Sequence, residues 1–355
     1  MATRIMILAG GTGGHIFPAL AVASELRERG CEVMWMGTHA GMEARLVPAA
    51  GIPIHWLSVA GFRGKNVLRK LTAPFKLIGA CIQAARILLR EKPQAVLGMG
   101  GFVAGPGGFM ARLLGIPLLV HEQNRIPGTT NRILVKWAQV VLQAFPDCFP
   151  SALGALWVGN PLRKAIIESP AKSHFAPGNP LKLLVVGGSQ GAKVLNQVVP
   201  QALAQTGSPV KVLHQTGADA LAETQALYQS LAVDAQVVAF IDDMAGAYRW
   251  ADLAICRAGA MTVSELMATS LPAVLVPFPY AIDDHQTANA RYLADAGAAI
   301  LMPQTELNPQ HLAEVIQQLQ RDPQRLSGMA EQAASLAKLD AAVVVAERCM
   351  QEARP

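Results

Sequence analysis

The sequence predicts an α/β fold built from two doubly wound, parallel-sheet domains of the Rossmann type. Its 355 residues exceed what one ordinary hydrophobic core needs. Short apolar runs that end in glycine alternate with helix-length segments, and the two halves open alike, IMILAGGTGGH against LLVVGGSQGAK. The composition, 52% hydrophobic and 15% charged, is that of a globular protein.

Ten apolar runs predict the strands of the two sheets. In the first half they are RIMILAGG, CEVMWMG, QAVLGMGG, IPLLVHE and VVLQAF. In the second half they are LKLLVVGG, VKVLHQTG, AQVVAFID, ADLAICRAG and PAVLVPFP. Continuous runs of Val, Ile and Leu are typical of strands buried on both faces, so both sheets are expected to be parallel.

Prolines mark the boundary between the two domains. Pro161, Pro170, Pro177 and Pro180 interrupt the stretch before the strand LKLLVV, which predicts a linker near residues 160 to 180. We therefore expect a first domain over 1–162 and a second over 163–334. The Ala-rich end of the chain predicts helices, and the one at about 335–355 is expected to pack back on the first domain.

Cysteine usage and the amino terminus favour a reducing cytoplasm. The five cysteines are far apart and form no CxxC pair, so neither a disulfide framework nor a zinc site is predicted. The apolar run after Arg4 is too short for the core of a signal peptide.

The charge is distributed unevenly along the chain. Residues 1–160 hold 16 Lys and Arg against 7 Asp and Glu, whereas the remainder holds 14 against 18. A basic half can face nucleic acid, an anionic membrane or an acidic substrate. Nucleic acid is the least favoured of these three partners, because no zinc-finger spacing and no aromatic RNA-binding signature is present.

Three glycine-rich segments follow predicted strands: GGTGGH at 10–15, GMGGFVAGPGG at 98–108 and GGSQGA at 187–192. Such a turn before a helix lets an anion approach backbone N–H groups. Neither GGTGGH nor GGSQGA fits G-x-G-x-x-G, and no acidic residue ends CEVMWMGT, so a nicotinamide cofactor is disfavoured. Glycine in the middle segment is equally compatible with tight helix packing.

A further helix start lies in ICRAGAMTVSE, where Thr262, Ser264 and Glu265 are expected in the first turn. Backbone amides and hydroxyls there would suit a phosphate. The carboxylate of Glu265 has two interpretations at this point: it stabilises the helix dipole, or it accepts hydrogen bonds from a ribose diol.

Seven motifs of this sequence together resemble those of the MurG-type peptidoglycan glycosyltransferases. They are the three glycine-rich segments, HEQN at 121–124, GNPLR at 159–163, FIDDM at 240–244 and RAGAMTVSE at 257–265. The resemblance covers about residues 4 to 350. It implies a GT-B fold, in which two Rossmann-like domains face an interdomain cleft. It also implies inverting transfer of N-acetylglucosamine from UDP-N-acetylglucosamine to lipid I, the undecaprenyl-diphosphate-linked muramyl pentapeptide, to give lipid II.

The resemblance assigns a donor site with a role for each part. Ile241 would offer backbone N–H and C=O to uracil, the helix start would hold the diphosphate beside Arg163, and Glu265 would bind the ribose. Gln286 and Asn289 lie three residues apart on a predicted helix and would bind sugar hydroxyls, unless they are solvated surface amides. The full set is Thr12, Gly13, Gly14, Asn124, Arg163, Ser189, Ile241, Ala260, Met261, Thr262, Val263, Ser264, Glu265, Gln286 and Asn289.

His15 is the first candidate for the general base, because an imidazole titrates near the working pH. It has two other possible roles, binding the acceptor diphosphate and a structural contact at a helix start. Glu122 is the competing base. The acceptor diphosphate is expected at Gly13, Gly14, Gly101 and Gly105. His121 is expected to orient rather than react, and His214 to lie in a loop or at an edge without converging partners.

The segment 69–90 is long and apolar, but Pro74, Lys76, Gln83 and Arg86 argue against a membrane span. As a helix it would place apolar residues on one stripe and basic residues on another. An ordinary helix on its sheet is the alternative, but the basic first half favours an interfacial surface. Its predicted members are Arg69, Lys70, Phe75, Lys76, Ile78 and Ile82.

The sequence thus predicts a metal-independent enzyme without a cofactor, peripheral on the cytoplasmic face of the bacterial inner membrane. Its expected partners are UDP-N-acetylglucosamine, lipid I and anionic inner-leaflet lipid, but not nucleic acid. The sequence does not identify partner proteins of cell-wall synthesis or division. The competing functions are a UDP-sugar epimerase, a transferase to another acceptor, and a non-catalytic nucleotide-sugar sensor.

Overall fold

The computed structural model describes residues 2–59, 67–168, 180–188 and 191–353, without the side chains of 67–73 and 282. The chain divides into two compact units. The first unit comprises Met1–Arg163 with Lys338–Pro355, and the second comprises Lys164–Ala337.

A seven-stranded parallel sheet forms the centre of the first unit, in the order β3-β2-β1-β4-β5-β6-β7. Its strands are β1 (Arg4–Ala9), β2 (Glu32–Gly37), β3 (Ile54–Trp56), β4 (Ala95–Gly100), β5 (Leu118–Glu122), β6 (Val140–Gln143) and β7 (Leu156–Trp157). Apart from its first residue, β1 is buried, and every residue of β4 is buried. The strand order reverses between β1 and β4, which is where open α/β sheets bind their ligands.

The helices of the first unit cover both faces of this sheet. They are α1 (Gly13–Glu28), α2 (Glu43–Ala49), α3 (Val67–Glu91), α4 (Ala104–Leu113), α5 (Thr129–Leu134) and, from the end of the chain, α14 (Ala341–Glu352). Val345, Ala346 and Cys349 of α14 have no exposed surface and pack in the same core cluster as Ile16 of α1 and Ile5 of β1. The last described helix is therefore part of the first unit's core.

A six-stranded parallel sheet forms the second unit, in the order β10-β9-β8-β11-β12-β13. Its strands are β8 (Leu181–Val186), β9 (Val210–Gln215), β10 (Ala235–Val238), β11 (Leu253–Cys256), β12 (Ala273–Leu275) and β13 (Ala299–Leu301). Its helices are α6 (Lys164–Ile167), α7 (Lys193–Gln205), α8 (Leu221–Ser230), α9 (Met244–Trp250), α10 (Ala260–Ala268), α11 (His285–Asp295), α12 (Pro309–Arg321) and α13 (Pro323–Ser335).

Local sequence explains where several of these helices begin. Asn308 precedes α12 and its side chain accepts the N–H of His311, while Asp322 caps α13 in the same way through Arg325. A proline follows each cap, where its missing N–H costs no hydrogen bond.

All ten predicted strands are present, and three further strands were not predicted. β3, β7 and β13 contain only two or three residues. Runs this short carry too little periodicity to be recognised, and they form because longer neighbours offer them hydrogen-bonding partners at the sheet edges.

Of the helices that the structure describes, none is both long enough and apolar enough to cross a bilayer.

Candidate active site

The carboxyl edge of the first sheet carries a glycine-rich loop that leads directly into α1. Thr12 is the residue before the helix, and Gly13 and Gly14 form its first turn with His15. Thr12 and Gly14 are exposed, and Gly13 is half-buried. The N–H groups of a first helical turn have no partner within the helix, so this surface suits an anion.

A buried carboxylate holds this loop in place. Glu43 has no exposed surface, and its oxygens accept the N–H of Gly11 at 2.9 Å and both the N–H and the hydroxyl of Thr38 at 2.9 and 2.7 Å. Each donor satisfies part of a charge that would otherwise be costly to bury. Glu43 is therefore the residue that ties the loop to the end of β2.

The second glycine segment packs against His15 and the first loop. Gly100, at the end of β4, has a φ of +102°, and a Cβ there would lie 2.8 Å from Cε1 and Nδ1 of His15. A Cβ on Gly101 would overlap the backbone oxygen of Gly10. Only glycine allows this approach, so the tight-packing interpretation of the segment holds at these two positions.

His15 and Glu122 have different environments. The Nδ1 atom of His15 lies 2.9 Å from Oε1 of Gln123. Glu122 is 1% exposed, and its carboxylate accepts the N–H of Asn124, the N–H of Gly128 and the amide of Asn131 at 2.9, 3.0 and 2.8 Å. Glu122 thus fixes the backbone after β5.

Other predicted residues of the first unit also lie near the end of the sheet. Asn124 is half-buried and donates its backbone N–H to Glu122. Arg163, the last residue of the first unit's amino-terminal segment, places its guanidinium over Phe17 of α1, 5.4 Å from the ring centroid. Gly105 is half-buried in the first turn of α4.

In the second unit, α10 begins at Ala260, after Gly259, inside the stretch ICRAGAMTVSE that predicted a helix start. Met261 and Thr262 are partly exposed, whereas Ala260, Val263 and Ser264 are buried. The first-turn amides and the Thr262 hydroxyl are thus the groups of this run that an anion can approach.

Glu265 lies in the second turn of α10, not in the first turn as expected, so a contribution to the helix dipole does not explain it. Its side chain is buried, and Oε2 accepts the hydroxyl of Tyr248 at 2.9 Å. Tyr248 on α9 therefore orients this carboxylate, a contact that no sequence motif indicated.

Ile241 differs from the expectation in one respect. Its backbone N–H donates to Oε1 of Gln215 at 3.1 Å. The side-chain nitrogen of Gln215 in turn donates to the carbonyl of Gly188 at 3.0 Å. The N–H expected to face uracil is thus engaged by a buried side chain in this structure. Ser189, the neighbour of Gly188, lies outside the described residues.

Gln286 and Asn289 share one face of α11, as predicted, but they differ in burial. Gln286 is half-buried and its Oε1 accepts the N–H of Phe278 at 2.9 Å. Asn289 has no exposed surface and donates to the carbonyl of Ala258 at 3.2 Å. Asn289 thus contacts the backbone after β11, and its contact with the sugar stays a prediction.

Four supporting residues escaped the sequence analysis: Glu43, Gln123, Gln215 and Tyr248. Each is buried and polar, and each bonds to a backbone or side chain far along the chain. Gln123 stood inside the HEQN motif, which was the one available signal. The partners of the others are set by the strand order, which the sequence does not display.

Two parallel, doubly wound sheets of seven and six strands, each with a glycine-rich turn and a helix start at its carboxyl edge, define the GT-B class. The chain matches the glycosyltransferase family 28 N-terminal domain over residues 5–143 and the family 28 C-terminal domain over residues 182–345. The chain belongs to glycosyltransferase family 28.

Close relatives share nearly the full length. The UDP-N-acetylglucosamine--N-acetylmuramyl-(pentapeptide) pyrophosphoryl-undecaprenol N-acetylglucosamine transferase of Methylococcus capsulatus is 62% identical over 99% of each chain. The protein of the same name from Nitrosococcus oceani is 54% identical over 99% of each chain. The crystal structure of Acinetobacter baumannii MurG is 43% identical, with a TM-score of 0.85 over 98% of this chain and 99% of that one.

Proposed function

We propose that this chain transfers N-acetylglucosamine from UDP-N-acetylglucosamine to lipid I, giving lipid II. The observation that carries the proposal is 62% identity, over 99% of each chain, to a transferase named for these substrates. The first unit binds the lipid-linked acceptor, and the second binds the nucleotide sugar.

The second unit stabilises the leaving group. When the bond between the anomeric carbon and UDP breaks, negative charge grows on the diphosphate. The N–H groups at the start of α10, together with the hydroxyl of Thr262, face that charge. Glu265, oriented by Tyr248, accepts hydrogen bonds from the ribose. Gln286 and the carbonyl of Ile241 complete the donor contacts of this unit.

His15 is the general base. Burial supports this choice over Glu122, whose carboxylate is enclosed and already accepts three strong hydrogen bonds. His15 is half-buried and stands at the first turn of α1, beside the exposed amides of Gly13 and Gly14. Those amides, with Gly101 and Gly105, bind the acceptor diphosphate, and His15 takes the proton from the attacking hydroxyl.

The first unit also binds the membrane surface, through α3. Its apolar side chains face outward: Phe75 is 76% exposed, Ile78 57% and Ile82 47%. The core contacts of the helix are made instead by Ala80, Ala84 and Leu88. An apolar face turned to solvent is the arrangement that interfacial helices use.

Neighbouring helices extend this face. Phe109 of α4 and Trp137, just after α5, are partly exposed and their rings are 5.6 Å apart. Lys76 of α3, Arg112 of α4 and Lys136, just after α5, are exposed, and α4 packs between α3 and α5. Each cation contributes about 1 kcal/mol near anionic lipid, so the face binds an anionic leaflet reversibly. The predicted Arg69 and Lys70 have side chains outside the described part of the structure.

The transferase activity is tested with labelled UDP-N-acetylglucosamine and a soluble lipid I analogue. We expect a β(1→4)-linked disaccharide product and one UDP released per transfer. Incubation with the nucleotide sugar alone is the control, because an epimerase would convert it without an acceptor. UDP binding without turnover across lipid I analogues would contradict the proposal and favour a sensor.

The base is tested with His15→Ala and Glu122→Gln. His15→Ala should lower kcat by about 100-fold or more, the usual contribution of a general base, with UDP affinity nearly unchanged. Glu122→Gln should mainly lower the free energy of unfolding, since it alters an acceptor of several buried donors. An unchanged kcat in His15→Ala would remove His15 from the chemistry.

The membrane face is tested by sedimentation with vesicles that contain anionic phospholipid. The double variant Phe75→Ser and Ile78→Ser should bind the vesicles less tightly than the parent chain. Leu339→Ser is the matched control, because Leu339 is 44% exposed in the same unit but lies outside α3. Equal losses in both variants would contradict a specific role for α3.

A further inference from the structure

A chain of hydrogen bonds connects His15 to the interior of the first unit. His15 on α1 and Gln123 after β5 meet at the carboxyl edge of the sheet, where β1, β4 and β5 are neighbours. Beyond Gln123 the chain continues to His121 and ends at the backbone carbonyl of Gly159. Gln123 and His121 have no exposed surface.

Two backbone carbonyls determine where the protons lie in this chain. The Nε2 atom of His121 is 2.9 Å from the oxygen of Gly159, and a carbonyl can only accept, so Nε2 carries the proton. The side-chain nitrogen of Gln123 donates to the carbonyl of His121 at 2.9 Å, which excludes the flipped amide orientation. The unprotonated Nδ1 of His121 then accepts the second amide hydrogen at 3.1 Å.

The oxygen of the Gln123 amide is thereby directed at His15. Oε1 lies 2.9 Å from Nδ1 of His15, and an amide oxygen can only accept. Nδ1 of His15 must therefore carry the proton, and the lone pair resides on Nε2. This is the opposite of the tautomer that neutral histidine prefers in water.

Burial keeps this series of hydrogen bonds in the protonation state just described. Enclosure in the unit lowers the pKa of His121 to about 4, so at neutral pH its Nδ1 remains an acceptor. The backbone carbonyl of Gln123 accepts a hydrogen bond from the side-chain amide of Asn160 at 3.0 Å, which fixes the main chain at this residue. Because Gly100 packs directly on the imidazole ring of His15, the ring has little room to turn away from Gln123.

We propose that Gln123 is a positioning residue, which holds His15 as the Nδ1–H tautomer so that Nε2 is the atom that receives the acceptor's proton. The inference rests on the proposed role of His15 as base. In the reaction, the acceptor O–H bond breaks and its proton moves to Nε2. The oxygen's electron pair forms the new bond to the anomeric carbon, and UDP leaves with the electrons of the broken bond.

Gln123 differs from the carboxylate that orients histidine in many hydrolases. An amide oxygen fixes the tautomer but adds no negative charge beside the imidazole. A buried partner that accepts from the amide nitrogen is therefore needed to keep the amide from flipping, and His121 accepts from it through both its ring Nδ1 and its backbone carbonyl.

The tautomer is measured directly by long-range 1H–15N correlation on chain labelled with 15N-histidine, with His15→Asn used to assign the signals. We expect a protonated-type shift for Nδ1 of His15 and an unprotonated-type shift for Nε2 at neutral pH. The reverse pattern in the parent chain would overturn the inference. This measurement needs no variant at Gln123 and no substrate.

The variant Gln123→Leu removes the acceptor at similar volume. We expect the His15 signals to move toward the Nε2–H pattern and kcat to fall at least tenfold, while the KM for UDP-N-acetylglucosamine changes less than twofold. Gln143→Leu is the matched control, since Gln143 is buried in the same unit and bonds the N–H of Phe149 instead. It should lower stability without moving the His15 signals.

Other outcomes are equally decisive. A Gln123→Leu chain that keeps Nδ1–H, or that keeps its kcat, would overturn the positioning role. A Gln143→Leu chain whose His15 signals move as far would also overturn it, because the effect would then be general. A parent chain without transferase activity would overturn the proposed function and the role of Nε2 as base, and the tautomer spectrum would still decide whether Gln123 sets the tautomer of His15.

Discussion

Mild acid should destabilise the second unit through His214. This residue lies in β9 with no exposed surface, contrary to the expectation of a loop or edge position without partners. Its Nδ1 lies 2.9 Å from the hydroxyl of Tyr228 and its Nε2 3.1 Å from Oδ1 of Asn196. The side-chain nitrogen of Asn196 donates to the carbonyl of Thr216, so Oδ1 of Asn196 faces His214 and accepts from its Nε2. The unprotonated Nδ1 of His214 then accepts the hydroxyl of Tyr228.

The sign and size of the effect follow from the shifted pKa. Burial lowers the pKa of His214 from its ordinary value of 6.5 to about 3. Between these values the unfolded chain binds a proton that the folded chain does not, so the free energy of unfolding falls as the pH drops below about 6.5. Lowering the pH from 7 to 5 should cost about 2 kcal/mol at this one site.

The assay compares urea unfolding of the parent chain and His214→Gln at pH 7 and pH 5. Glutamine can hydrogen-bond the same neighbours but does not titrate. The free energy of unfolding of His214→Gln should therefore fall by about 2 kcal/mol less than that of the parent between pH 7 and pH 5. Val212→Ala on the same strand is the control: it removes buried packing but retains His214 and the full pH dependence. His121 is present in all three proteins, so its pH-dependent contribution to the free energy of unfolding cancels in the comparison.

The same pH-dependent loss in the parent and in His214→Gln would refute this reasoning. A titration that follows the imidazole signals of the parent chain measures the pKa of His214 directly. The imidazole signals of His214 should stay those of a neutral ring down to about pH 4, and titration near pH 6.5 would show that burial does not govern this group.

Three further substitutions test the site. Glu265→Gln should raise the KM for UDP-N-acetylglucosamine about tenfold, the equivalent of about 1.4 kcal/mol, as measured by steady-state kinetics. Gly100→Ala should lower kcat and stability together, because its φ of +102° is strained for alanine and its Cβ would displace His15. Glu43→Gln should lower the free energy of unfolding by about 1 to 3 kcal/mol, since an amide cannot accept all the donors of Gly11 and Thr38.

Each of these has its own comparison. Tyr248→Phe should raise the same KM less than Glu265→Gln does, because it removes one hydrogen bond to the carboxylate and keeps the carboxylate itself. Gly115→Ala has a similar positive φ of +72° but open space around it, so it should cost stability and leave kcat unchanged. A Glu43→Gln chain as stable as the parent would mean that the loop does not depend on this carboxylate.

The architecture was predictable because its signals are local. The run IMILA before GGTGG, and its counterpart LLVV before GGSQG, show strand, turn and helix within a dozen residues. The apolar residues of α3 were likewise recognisable by their spacing. Spacing alone did not decide between a core and a surface, and only the basic charge of the first half favoured the surface, where Phe75 lies.

The supporting residues of the site depend on which strands are adjacent. Gln123 reaches His15 across 108 positions of sequence, and it does so because β5 lies beside β4, next to β1. Asn289 illustrates the converse: it shares a helix face with Gln286 as its spacing predicted, but spacing did not predict its complete burial or its hydrogen bond to the carbonyl of Ala258. Spacing predicts which side chains share a face and says nothing about the depth at which that face lies.

The return of α14 to the first unit determines when that unit can be finished during synthesis. Its core lacks Val345, Ala346 and Cys349 until the whole second unit has left the ribosome. At about 5 to 20 residues per second, this is a delay of roughly 10 to 30 s. The second unit has a continuous chain and can complete first, so the nascent amino-terminal unit is the one that must wait for its missing helix.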